Sequence, residues 1–326
     1  MKALKILTIL FLCTAIGIHI AGPAEAADPK IGTGLNTPVS EMIWDEGGDT
    51  LILLSPDNVS YVPAAGGKAP QNVGIPDKDT SLTTVSGTGI AAAVSSDMQR
   101  IFIYEPGSSS KEIREIETGF PVLSVSISDD GTQILADSAD QIRTVIYDIR
   151  NGEAVGDLEG FRTAAPVYDS SLSNDGKYLL WHSRGTFAVQ EVASGKFGAT
   201  VSLWDFASSF ALSPDNRILA VGIINDDYEN GAVIFFDPQS GSELGRTLLD
   251  EKAPYALSFS GNSAVLFAAD ESTLYRIDPK TFEVTRRYIV ADPAAGKDTR
   301  ISRIAASPDG SSAAVLTSAG DLFLIK

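Results

Sequence analysis

Residues 211–221 read ALSPDNRILAV: a short apolar run, a tight polar turn, then a second apolar run. Close variants recur as SISDDGTQILA from Ser126, SLSNDGKYLLW from Ser171 and AASPDGSSAAV from Ala305. Aligning the turn gives seven equivalent positions, Asp45, Ser86, Ser128, Ser173, Ser213, Ser260 and Ser307, spaced about 40 to 47 residues apart. A second marker keeps step with the first. An apolar or aromatic residue followed by an acid occurs at Tyr104-Glu105, Tyr147-Asp148, Phe236-Asp237 and Ile277-Asp278, and Gln190-Glu191 keeps the acid alone. Two markers in register along one chain define a structural repeat.

Each repeat reads as four strands. After Phe120, Val122 to Ser128 alternates apolar and small polar residues, Asp129-Asp130-Gly131 turns, and Gln133 to Ala136 forms a second strand. Arg143 to Tyr147 is the third strand, Asp148 to Gly152 turns again, and Glu153 to Leu158 is the fourth. Asp, Asn and Gly accept left-handed backbone or bond back to it, and Pro fixes φ at the first corner, so Pro214-Asp215-Asn216 and Pro308-Asp309-Gly310 are hairpin connectors. A lone four-stranded sheet has two faces to hide, and radial stacking hides both. The expected fold is therefore all-β, a seven-bladed β-propeller of four-stranded antiparallel blades. Six or eight blades remain alternatives, because the units Pro38 to Asp79 and Ser81 to Gly119 match the pattern weakly. The last unit offers only Ser312 to Thr317 and Asp321 to Lys326 after its first strand. The segment Lys30 to Leu35 is expected to supply the missing outer strand.

The Ser-Pro-Asp-Gly-like hairpins and the apolar-acidic pair resemble those of bacterial exported β-propellers of the WD-repeat and YVTN-repeat type, over essentially all of the chain after the leader. The Trp-Asp pair is absent from the end of the third strand, where WD repeats place it. Trp204-Asp205 falls in a crossing between blades, and no Gly-His precedes a first strand. The resemblance implies a fold and several functions: protein-interaction platforms, lactone hydrolases, and subunits of periplasmic redox enzymes.

Residues 1–26 have the layout of a secretory signal: two lysines, an apolar run from Ile6 to Ile20, and a small-residue exit at Ala24-Glu25-Ala26. The domain reading is a signal over 1–26 and one propeller over 27–326, located in the periplasm. The apolar run is shorter than a membrane-spanning helix needs, so no stable membrane insertion is expected. Cys13 is the only cysteine and lies in the leader, which leaves the remainder without disulfide or thiolate chemistry. A formal net charge of −17 disfavours nucleic acid and leaves cationic ligands, metal ions or a basic protein as partners.

His182 is the only histidine beyond the leader and reads as a half-buried strand-end residue. The loop INDDYENGA from Ile224 carries Asp226, Asp227 and Glu229 around Tyr228, oxygen ligands for a hard cation such as Ca2+, although not in EF-hand order. The blade crossings carry Arg162, Tyr168, Asp205, Phe206, Tyr255, Arg300 and Arg303, aromatic and Arg side chains of the kind that anchor interfaces. With Tyr228, these form the expected binding surface at one mouth of the ring. The expected function is a non-enzymatic scaffold, monomeric by itself, that recognises another exported protein, with no cofactor unless Ca2+ is bound. The alternatives are a metal-assisted lactone or ester hydrolase and an accessory subunit of a periplasmic oxidoreductase.

Overall fold

The computed structural model describes residues 39–56, 58–65, 69–74, 80–104, 114–140, 143–159, 169–183, 185–203, 207–224, 231–249, 252–290 and 299–326, with the short pieces 25–26 and 30–31. Among the described residues every regular element is a strand, so no helix is long and apolar enough to cross a membrane.

The strands form seven sheets, each strand hydrogen-bonded to the next in chain order. Blade 1 contains Glu41–Trp44, Thr50–Ser55, Asn58–Pro63 and Gln71–Gly74. Blade 2 contains Thr80–Val85, Ala91–Ser95, Arg100–Tyr104 and Arg114–Glu117. Blade 3 contains Val122–Ile127, Gln133–Ser138, Arg143–Asp148 and Ala154–Glu159, the four strands read from the sequence to within a few residues. Blade 4 contains Asp169–Leu172, Tyr178–Ser183, Thr186–Glu191 and Phe197–Ser202. Blade 5 contains Ala207–Leu212, Leu219–Ile224, Gly231–Phe236 and Glu243–Leu248. Blade 6 contains Ala256–Phe259, Leu266–Ala269, Thr273–Asp278 and Glu283–Ile289. Blade 7 contains Ile301–Ala306, Ala313–Thr317 and Leu322–Ile325. Its fourth strand comes from the other end of the chain: Lys30 and Ile31 pair antiparallel with Phe323 and Leu322. Residues Glu25–Ala26, placed in the leader by the sequence reading, lie parallel to Tyr288 and Ile289 at the outer edge of blade 6.

Burial follows position in the blade. Middle strands are covered on both faces and lose the alternating pattern, as in Leu266–Ala269, Gly231–Phe236 and Ala313–Thr317, where every residue is buried. Outer strands such as Glu243–Leu248 stay largely exposed. Each of the seven interfaces has its own apolar cluster, including the closing one, where Met42, Trp44 and Leu51 pack on Ala305, Leu316 and Leu322. The ring is therefore closed, and it has seven blades.

The repeated phrase is explained by its turn. Three residues after every marker the backbone has positive φ, at Gly48, Gly89, Gly131, Gly176, Asn216, Ser263 and Gly310. The amide of each donates to the marker's carbonyl at 2.8–3.0 Å. The marker hydroxyl is buried and partnered twice. In blade 3, Ser128 Oγ donates to Asp130 Oδ1 at 2.7 Å and accepts the Gln133 amide at 3.1 Å. Blade 1 replaces the pair by Asp45, whose Oδ1 accepts the amides of Asp49 and Thr50. The acid of the second marker works in the next hairpin of the same end. Asp148, Asp237 and Asp278 accept the amide two residues on, and the residue four on again has positive φ: Gly152, Gly241 and, in blade 6, Phe282. A left-handed Phe costs energy. It is held by packing, with its ring 4.9 Å from Phe235 and over Gly245, where a Cβ would collide with it.

Candidate functional site

The antiparallel order assigns each connection to an end of the channel. First-to-second and third-to-fourth turns lie at one, the turn end. Second-to-third loops and blade crossings lie at the other, the crossing end.

At the turn end, the residue after each marker lines one cavity of about 460 Å³: Glu46, Gly87, Asp129, Asn174, Pro214, Gly261 and Pro308, one from every blade. Inner-strand residues continue the wall, among them Met42, Trp44, Leu212, Leu257 and Phe259. The rim is two-sided. Blades 1, 3 and 4 contribute Glu46, Asp129 and Asn174, while blades 5 to 7 contribute Pro, Gly and Pro. Neighbouring turns are tied together: Asn216 Nδ2 donates to Asp175 Oδ1 at 3.2 Å, the Asp215 amide to Ser263 Oγ at 3.1 Å, and the Asn262 amide to the Pro308 carbonyl at 3.0 Å. Trp44 Nε1 donates to the Ala305 carbonyl at 2.9 Å and closes the ring beside the cavity.

Some acids of this end are paired on their own turns, Asp175 with Lys177 and Asp148 with Arg150, but among the described residues those at the cavity are not. Burial pushes the Asp129 carboxyl up to about 6, helped by the charges of Asp130 and Glu46. On the first strand of blade 1, burial raises Glu41 to about 7 against the opposing effect of the Val85 amide, which donates to Glu41 Oε2 at 3.0 Å. Asp129 adds to the rise, and Arg303 counters it. Glu41 is half-buried.

At the crossing end, among the described residues, one acid is matched by two cations. Glu271, in the second-to-third loop of blade 6, accepts Lys252 Nζ at 2.6 Å and Arg300 Nη1 at 3.2 Å. Tyr255 OH donates to the Ile301 carbonyl at 2.9 Å, with its ring still 36% exposed, and burial raises its pKa. Tyr255 and Arg300 are thus brought together across blades 6 and 7. Arg303 points elsewhere: its Nε donates to the Ser40 carbonyl at 3.1 Å, tying blade 7 to blade 1. The other expected binding residues, Arg162, Tyr168, Asp205, Phe206 and Tyr228, and the expected cation ligands Asp226, Asp227 and Glu229, lie outside the described residues. Among the described residues no three His, Cys, Asp or Glu side chains form a group that could hold a metal ion.

Two buried acids stiffen the crossing end. Asp137 accepts Ser124 Oγ at 2.7 Å, Thr144 Oγ1 at 2.5 Å and Ser170 Oγ, the last across the blade 3–4 interface. Asp270 accepts the Ser272 and Thr273 amides and Tyr275 OH. His182 stacks on Phe187 at 4.7 Å and leans on Phe210, its Nε2 accepts the Gly185 amide, and burial lowers its pKa. This is the environment of a neutral packing residue.

Sequence reading did not single out Asp129 or Glu46. A partial signal was present: they occupy a position of the phrase that is acidic in two blades and Gly, Asn or Pro in the others. No protein-family model and no curated protein matches the sequence.

Proposed function

We propose that the protein is a non-enzymatic binding scaffold of the periplasm, exported by its leader, which recognises another exported protein at the crossing end of the ring. The observation that carries this reading is the Tyr255–Arg300 pair. A Tyr and an Arg from adjacent blades are held in place by the Ile301 carbonyl and Glu271 while their remaining surface faces solvent, with Arg300 55% exposed. Tyr and Arg are the residues that most often dominate association energy, and side chains fixed before binding lose less entropy on contact. Seven interlocked blades supply the rigid base.

The test is capture from a periplasmic extract with mass spectrometry, comparing three forms: the unaltered protein, Tyr255→Ala with Arg300→Ala, and Glu46→Gln at the far end. One protein retained by the first and third and reduced about tenfold or more by the second is expected. Equal capture by all three would remove the crossing end from consideration.

A further inference from the structure

We propose that the turn-end cavity binds a small organic ammonium ion, a ligand carrying a protonated amine on an apolar body. Three observations converge on this class. First, Asp129 lines the cavity, no described residue donates a hydrogen bond to its carboxylate, and the charges acting on it, Asp130 and Glu46, are of its own sign. A carboxylate sunk in a protein wall without a partner is costly, and a bound cation would remove that cost. Second, among the described residues no Lys or Arg lines the cavity. Arg303, whose charge acts on Glu41, is engaged with the Ser40 carbonyl, and Lys177, on the neighbouring turn, is paired with Asp175. Third, the wall opposite the acids is apolar: Pro214, Leu257, Phe259 and Pro308. A bare divalent ion would need several converging oxygens and would leave that wall unused. An amine with a hydrocarbon body uses both sides, and about 460 Å³ lies within the range of ligand pockets.

The two-sided rim also sets the pose. The charged nitrogen lies toward blades 1 and 3 and the apolar body toward blades 5 to 7. Binding should weaken as Asp129 is protonated. The groups that face it are Asp130 on its own turn, Glu46 from blade 1, and Glu41 on the first strand of blade 1 beside Arg303. This site is independent of the crossing end: loss of partner capture would leave it standing, and the reverse.

The test titrates the full chain with hexylammonium, phenethylammonium and butane-1,4-diammonium chlorides at pH 7.5, read by calorimetry and by tryptophan fluorescence, since Trp44 lines the cavity. The neutral 2-phenylethanol is the control. Saturable one-site binding of at least one ammonium is expected, weakened about tenfold by Asp129→Asn and again at pH 5, and weakened less by Glu46→Gln. Glu243→Gln, on the outer strand of blade 5, should change nothing. Glu46 is exposed, so its variant keeps the test valid if Asp129→Asn fails to fold. The proposal is overturned if none of the three ammonium ions binds saturably, if 2-phenylethanol binds as tightly, or if neither carboxylate variant alters the affinity.

Discussion

At the turn end of the channel seven copies of one short connection meet, each repeating the same bonds. At the crossing end, connections of unequal length and composition meet, and order comes from individually placed groups such as Asp137 and Glu271. The two ends differ in charge as well as in pattern. The cavity of the periodic end holds Asp129 and Glu46, acting on each other with no cation paired to either among the described residues, whereas at the aperiodic end Glu271 is paired with Lys252 and Arg300. Repetition in a chain therefore marks what builds the ring, and departures from the repeat, at either end, mark what the ring presents.

Four substitutions probe this contrast. The largest effect is expected at Asp137, where a single acid serves three hydroxyls in two blades. Asp137→Ala should cost about 3 kcal/mol or more in denaturant unfolding, and a loss under about 1 kcal/mol would show that the crossing end does not depend on it. Glu41 comes next, through pH. Its folded pKa lies above its ordinary value, so the unfolded chain gives up its proton first and stability falls as pH rises from about 4.5 to 7. Glu41→Gln should match the unaltered protein near pH 4.5 and exceed it by ~2 kcal/mol at pH 8. Parallel melting curves at the two pH values would contradict the burial of that charge. Ser260→Ala removes one marker hydroxyl, which donates to Asn262 and accepts the buried Val265 amide. A loss of about 1–2 kcal/mol is expected, and a neutral result would mean the turn is held by its backbone alone. The smallest effect belongs to Glu271→Gln. Its partners are largely exposed, so the change in melting temperature should correspond to less than about 1 kcal/mol and disappear at high salt. A large, salt-independent loss would mean that the matched charges carry the crossing end.

The ring itself was legible because its local rules are strict. A left-handed residue three after the marker restricts that site to Gly, Asn or Ser here, and a hydroxyl or acid must start the turn, so the phrase survives in all seven blades. Blade 2 hid its match by shortening the turn and using Thr88 in place of an acid as the partner of Ser86. Blade 6 shows its third-to-fourth turn at Pro279-Lys280-Thr281 but places Phe282 where blades 3 to 5 have Gly, a substitution that contact with Phe235 and Gly245 explains. The candidate sites were less legible. Tyr255 and Arg300 stood out by residue type, but their sharing of one surface depends on blades 6 and 7 being neighbours at that end. Asp129 looked like turn punctuation, because its exposure to a cavity is a property of seven chain segments together and leaves no trace within any one of them.

The bond from Trp44 to Ala305 joins residues separated by 261 positions, and the cluster around it draws on both early and late parts of the sequence. Blade 1 cannot cover its second face until the segment from Ala305 to Leu324 packs on it, so closing the ring is a long loop closure. Chains that depend on such distant pairing reach their native state slowly. The same seam that makes the finished wheel hard to pry open thus joins the two parts of the chain with the longest distance to travel before they meet.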